Sequence, residues 1–126
     1  MSTEPFALQR GDGHTYEWNG YHFTFKVRPE DSDGRFFLSE FVCETGQEPS
    51  THVHEDEDEI FYVLEGSLAV HCGDRSFDLE PLGCVFLPRG IPHGFTITSD
   101  GEVRMLVMTS PANFGKRIQT EGRLLD

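Results

Sequence analysis

Between Tyr21 and Val27 the apolar residues Tyr21, Phe23, Phe25 and Val27 alternate with His22, Thr24 and Lys26. Successive side chains of a strand point to opposite faces, so this alternation predicts a strand with one wet face. From Arg35 to Thr45 both parities are apolar, with Phe37, Phe41 and Cys43 on one and Phe36, Leu38 and Val42 on the other. Both faces of that strand are expected to be covered. Shorter strands are read at Ser50 to His54, Glu59 to Leu64, Ser67 to Cys72, Ser76 to Leu79, Cys84 to Pro88, His93 to Thr98 and Val103 to Thr109. Turn residues punctuate them at Glu65-Gly66, Gly73-Asp74, Pro81-Leu82-Gly83, Arg89-Gly90 and Ser99-Asp100-Gly101. Many short, evenly spaced strands indicate an all-β sandwich or barrel. One helix is expected near the end, over Ala112 to Thr120, with Ser110 as its cap and Pro111 at its first position. Gly115 counts against it.

A length of 126 residues suits one domain, and no repeat or linker divides it. The 11 Phe residues require a core to bury them, which excludes a disordered chain. The formal net charge of -12, with no basic cluster, repels phosphate backbones and anionic lipid, so neither nucleic acid nor membrane is expected as a partner. Met1 to Arg10 lacks a basic start followed by an apolar stretch, and no apolar run is long enough to span a bilayer. A cytoplasmic location is therefore expected. Cys43, Cys72 and Cys84 are odd in number, contain no C-x-x-C pair and sit in or beside apolar runs, which favours buried free thiols.

Candidate chemistry concentrates on four residues. His52 and His54 lie two apart in an expected strand, so both imidazoles project from one face and can meet one ion. An H-x-H pair by itself is weak evidence, since exposed strand histidines are common. Glu59 and His93, each opening a later strand, strengthen it. The neighbouring acids Glu55 to Asp58 read as a solvated loop. By alternation Glu59 shares a face with Phe61 and Val63, and His93 with Phe95 and Ile97. Those four apolar residues are candidates for the wall of a substrate pocket, or simply for core. His14 in a loop, His22 on a polar parity and His71 beside a turn read as surface histidines.

These residues resemble the cupin family. Its first motif is matched by Gly46, His52, His54, Glu59 and Gly66, and its second by Pro88, Gly90 and His93. The second motif is departed from at two places: Leu82 stands where a glycine belongs, with Gly83 one place later, and Ile97 replaces an asparagine. The resemblance implies a double-stranded β-helix, or jelly-roll barrel, with a short C-terminal helix. One cupin domain would then occupy residues 1–126, with N-terminal strands over about 15–45, the barrel over 46–109 and a tail over 110–126. It further implies one divalent transition metal held by His52, His54, Glu59 and His93. Fe(II) is favoured, and Mn, Ni, Co, Cu or Zn also suit three imidazoles and a carboxylate.

The flanking strands and tail also resemble those of small single-domain cupins similar to quercetin dioxygenases. That likeness implies an oxygen-dependent dioxygenase whose small-molecule substrate is an enolisable aromatic, flavonoid-like or polyketide-like compound. O2 would be its co-substrate, and Glu59 would serve both as ligand and as catalytic base. Two alternatives are a non-redox isomerase, cyclase or hydrolase using the same ion as a Lewis acid, and a binding module without turnover. A homodimer is expected, with the two-sided apolar strand from Phe36 to Thr45 as its interface.

Overall fold

The computed structural model describes residues 3–125, so the ends of the expected domain at 1, 2 and 126 lie outside the described residues. The order of elements is β1 (His14–Trp18), β2 (Tyr21–Val27), a 3-10 turn at Pro29–Ser32, β3 (Phe37–Glu44), β4 (Asp58–Glu65), β5 (Leu68–Cys72), β6 (Arg75–Leu79), β7 (Cys84–Leu87), β8 (His93–Ile97), β9 (Glu102–Ser110), α1 (Asn113–Glu121) and β10 (Arg123–Leu124). One sheet runs β10-β1-β2-β3-β9-β4-β7 and the other β6-β5-β8. Every named strand pair is antiparallel. Two facing antiparallel sheets with crossing connections make the jelly roll expected from the motifs, with one short helix at the C-terminal end.

Alternation decides what each strand buries. Phe23 and Phe25 of β2, Phe37, Phe41 and Cys43 of β3, Phe61 and Val63 of β4, and Val103, Met105 and Val107 of β9 face the interior. Leu68 and Val70 of β5 close the other side, opposite Ile97 and Phe95 of β8. The outer face of the large sheet carries an ion-paired cluster at Lys26, Glu40 and Arg104 and, beside it, an apolar patch. Leu38, Met108, Ile60 and Phe86 form one row across β3, β9, β4 and β7. This is why β3 carries apolar residues on both parities, with Leu38 and Val42 of its outer side half-buried.

Several expectations are corrected. Ser50 to His54 forms no strand: it is an extended segment with a single bridge, from His52 to His93. His14 is the first residue of β1, and β10 was not visible in the pattern because it is only two residues long. Cys43 is buried, but Cys72 is half-buried and Cys84 exposed, because Cys84 falls on the outer parity of β7. No disulfide joins them.

The helix begins at Asn113, with Ala112 in the capping position. Ser110 is the last residue of β9, and its hydroxyl donates to the Arg35 carbonyl at 2.8 Å instead of capping. Gly115, a weak helix former, lets the helix dock. A Cβ there would lie 2.7 Å from the Phe37 ring and 2.9 Å from Pro29, closer than packed carbon atoms allow. Leu82 occupies the glycine position of the motif in a glycine conformation, with φ of 72°. Among the described residues no helix is long and apolar enough to cross a membrane.

Candidate metal centre

Strand parity supplies two of the four donors. Glu59 is the second residue of β4 and His93 the first of β8, and both side chains turn inward, 3% and 1% exposed. The other two arrive on the loop between β3 and β4. The His52 N–H donates to the His93 carbonyl at 3.0 Å, and the His93 N–H returns a bond to the His52 carbonyl at 2.8 Å. The Gly90 N–H adds a third, to the His54 carbonyl at 2.8 Å. These backbone bonds register the H-x-H segment against the turn that leads into β8. They place His52 beside His93 without a full strand.

The ring centroids of His52 and His54 lie 5.1 Å apart, those of His52 and His93 4.7 Å, and those of His54 and His93 5.5 Å. One candidate ligand atom from each of His52, His54, Glu59 and His93 falls within 4.8 Å of the others. Two of the rings are held in a defined tautomer. A carbonyl can only accept, so His52 Nδ1 donates to the Ser50 carbonyl at 2.8 Å and its Nε2 carries the lone pair. His54 Nδ1 likewise donates to Glu57 Oε1 at 2.9 Å.

This donor set fits a cation. His54 Nε2, His93 Nε2 and Glu59 Oε1 are fully buried and form no hydrogen bond. His93 Nε2 lies 3.0 Å from Glu59 Oε1, and His54 Nε2 lies 3.6 Å from it, yet neither contact has the alignment of a hydrogen bond. A buried polar atom without a partner costs about 1–3 kcal/mol. Three such atoms directed to one point are what a shared positive ion relieves. Three imidazoles and one carboxylate suit a divalent transition metal without choosing among Fe, Mn, Co, Ni, Cu and Zn.

Electrostatics separates the two loop histidines. Partial desolvation of the His52 ring, in a residue that stays exposed overall, lowers its pKa below the usual imidazole value, and the carbonyl bond at Ser50 only partly offsets it. Burial also opposes the charged form of His54. There the hydrogen bond to Glu57 and the charges of Glu59 and Glu57 outweigh it, and the net direction is upward. Of the four, His52 is exposed and His54 intermediate. The site is therefore approached from the loop side.

Phe61, Val63, Phe95 and Ile97 are all buried, and of them the Phe61 ring stands 6.3 Å from that of His93 and 5.7 Å from that of Phe95. They pack against one another as core. A cavity of about 180 Å³ is lined by His54, Glu57, Phe114 and Arg117. A larger one of about 570 Å³ lies between the N-terminal segment and β2, and none of the four donors lines it.

The acidic loop is corrected in two places. Glu57 is 5% exposed, and Asp58 pairs with Arg89, whose Nε lies 3.2 Å from its carboxylate. Nothing in the run Glu55 to Asp58 marked Glu57 as different. Thr109 was also missed: it stands opposite Glu59 in the β4–β9 register, is 1% exposed, and its hydroxyl has no partner. His71 is half-buried, and its ring pairs with the Thr51 hydroxyl at 2.9 Å, next to His52. His22 stays exposed, near Glu17. His14 is exposed as expected and has contacts within the fold.

A jelly roll in which three histidines and a glutamate on motif positions converge defines a class, and residues 39–109 match the cupin domain model. The chain belongs to the cupin family. It is 23% identical over 118 residues to the quercetin 2,3-dioxygenase of Bacillus subtilis (strain 168), covering 94% of this chain and 35% of that protein. It is 31% identical over 75 residues to the polyketide synthase CurC of Streptomyces cyaneus, covering 60% of this chain and 49% of that protein. The chain thus spans half or less of the length of these curated relatives. Among solved structures it superposes on KdgF from Halomonas sp. with a TM-score of 0.72 at 17% identity, covering 89% of this chain and 99% of that one. That last likeness is one of fold.

Proposed function

We propose that this cupin is a metal-dependent enzyme acting on an enolisable aromatic, flavonoid-like or polyketide-like small molecule, with oxygen-dependent dioxygenation as its reaction. The observation that carries this reading is the convergence of four donor atoms within 4.8 Å, three of them buried without hydrogen bonds. His52, His54, Glu59 and His93 would hold the ion. A divalent ion there, Fe(II) in the favoured case, supplies Lewis acidity toward an enol or phenol oxygen and a redox partner for O2.

The chain's own residues do the rest. The Glu59 carboxylate, besides holding the ion, would take the substrate hydroxyl proton on the oxygen not committed to the ion. His52 and His54 keep Nε2 available through their Nδ1 bonds to Ser50 and Glu57. Phe61 beside His93, with Phe95 packed against it, keeps water from the inner side of the cluster and so strengthens every charge interaction in it. The names of the two curated relatives, a quercetin 2,3-dioxygenase and a polyketide synthase, support phenolic and polyketide-type substrates. An alternative at the same ion is a non-redox cyclisation or isomerisation.

The test is elemental analysis of the purified protein, followed by oxygen-electrode assays on flavonols and other enolisable aromatics with that metal restored. Oxygen uptake that tracks product supports dioxygenation. Turnover that persists anaerobically with zinc supports the alternative. A protein that binds no metal overturns both.

A homodimer completes the proposal. A chain of net charge -12 resists self-association except where its surface is uncharged. The outer row of Leu38, Met108, Ile60 and Phe86, with Phe86 59% exposed, is such a surface. A dimer in sedimentation that Phe86→Asp converts to monomer supports this contact, and a wild-type monomer removes it.

A further inference from the structure

Glu57 belongs to an acidic run in which Glu55 and Asp56 are exposed and Asp58 turns to Arg89, yet its own carboxylate is buried. Its two oxygens serve two different parts of the molecule. Oε1 accepts from His54 Nδ1 at 2.9 Å. Oε2 accepts from the Phe114 N–H at 3.0 Å, one of the first-turn donors of α1 that the helix itself cannot satisfy. Ala112, at the capping position, has no side-chain acceptor to offer. Phe114 reinforces the link, for its ring stands edge-on to His54 at 5.5 Å and also meets Trp18, Phe23 and Phe37. The helix start and a metal ligand are thus joined through one carboxylate and one ring.

We propose that Glu57 is a positioning residue that holds His54 with Nε2 free for the metal and couples occupancy of the metal centre to the seating of α1. The proposal rests on the metal reading above. A carboxylate only accepts, so it fixes the His54 proton on Nδ1 and aims the ring. When His54 is held by an ion, Glu57 is held with it, and the Phe114 amide keeps its acceptor. Coupling of this kind is reciprocal, so a loosened helix weakens metal binding to the same extent that an emptied centre loosens the helix. Glutamine separates the two contacts. Its single carbonyl can serve Phe114 or His54, and its amide then faces the other as a donor.

The experiment measures Co(II) affinity by competition with a chelator, together with amide hydrogen exchange across α1 with and without Co(II). Wild-type, Glu57→Gln and Glu57→Ala proteins are compared. Co(II) is expected to slow exchange at Phe114 and the first turn of α1 in the wild type. Glu57→Gln should weaken Co(II) binding by about 10–100-fold and abolish that slowing. The near-isosteric glutamine carries the test if the alanine variant fails to fold.

Unchanged Co(II) affinity in Glu57→Gln overturns the proposal, even if α1 exchanges faster, because Glu57 is then a helix cap alone. Weakened affinity with the slowing of α1 intact overturns the coupling. Failure of the wild-type protein to bind Co(II) removes the metal centre, and this inference with it. That outcome is distinguished from the others by the wild-type titration.

Discussion

Two clusters occupy the interior, and they are built on opposite terms. At one end Phe23, Phe25, Phe37 and Phe41 meet ring to ring, with centroids 4.5–4.8 Å apart in the closest pairs, and Trp18 and Phe114 close the group from outside. Around His52, His54, Glu59 and His93 the buried atoms that matter most have no hydrogen-bond partner at all. Burying apolar rings stabilises the fold whatever else is present. Burying lone pairs without partners destabilises it until something fills the space between them. The aromatic end is therefore a folding device and the polar end a binding device. Phe114 touches both.

The strongest way to break this contrast is to cut the aromatic end. Phe37 is 0% exposed and packs on Phe25 and Phe114. Phe37→Ala should lower the unfolding free energy by about 3–5 kcal/mol in denaturant titration. The polar end should behave in the reverse way. Saturating wild-type protein with Co(II) at about 100 times its dissociation constant should add about 2.7 kcal/mol of stability. Glu59→Gln should abolish most of that gain while leaving the metal-free protein as stable as before, since no hydrogen bond of Glu59 Oε1 is lost. Equal destabilisation of metal-free protein by both substitutions would dissolve the distinction.

Smaller effects sharpen it outside both clusters. Leu82 is 71% exposed and sits at φ of 72°, a conformation that only glycine adopts without strain. Leu82→Gly should raise thermal stability by about 0.5–1 kcal/mol, the relief of left-handed strain less the backbone entropy of glycine. The thiols give the mildest test. Burial, aided by the charges of Glu48 and Glu44, pushes the Cys43 thiol up to about 11. The folded state thus holds that proton more tightly than the unfolded chain. Its contribution to stability is complete below the unfolded thiol pKa and is lost as the pH rises through the folded one. In timed alkylation at neutral pH, exposed Cys84 should react first, and Cys43 only after unfolding.

Much of the barrel was legible because strand parity is a local property. The reading of Tyr21 to Val27 matches β2, and the inward face of β4, with Glu59, Phe61 and Val63, followed from alternation alone. The helix was legible, but its start was not. Ser110 looks like a cap in sequence and is bound elsewhere, whereas the acceptor at the helix start, Glu57, lies far back in the chain. Gly115 was read as a helix weakener, because the sequence does not show that Phe37 lies against it. The H-x-H segment brought the right residues for a different reason from the one expected: no strand holds them, only bonds to His93 and Gly90.

What the amino-acid order alone determined is therefore most of the barrel strands and their buried faces, which depend on near neighbours and a period of two, while the four donors came from their match to the cupin motifs. Tertiary structure decided which lone pairs are left without partners, which ring nitrogen of His52 and His54 carries the proton, and which acid of four is drawn inside to join a ligand to a helix. Those outcomes turn on hydrogen bonds between segments distant in sequence. Angles and distances of about 3 Å settle such bonds, and no local pattern encodes them.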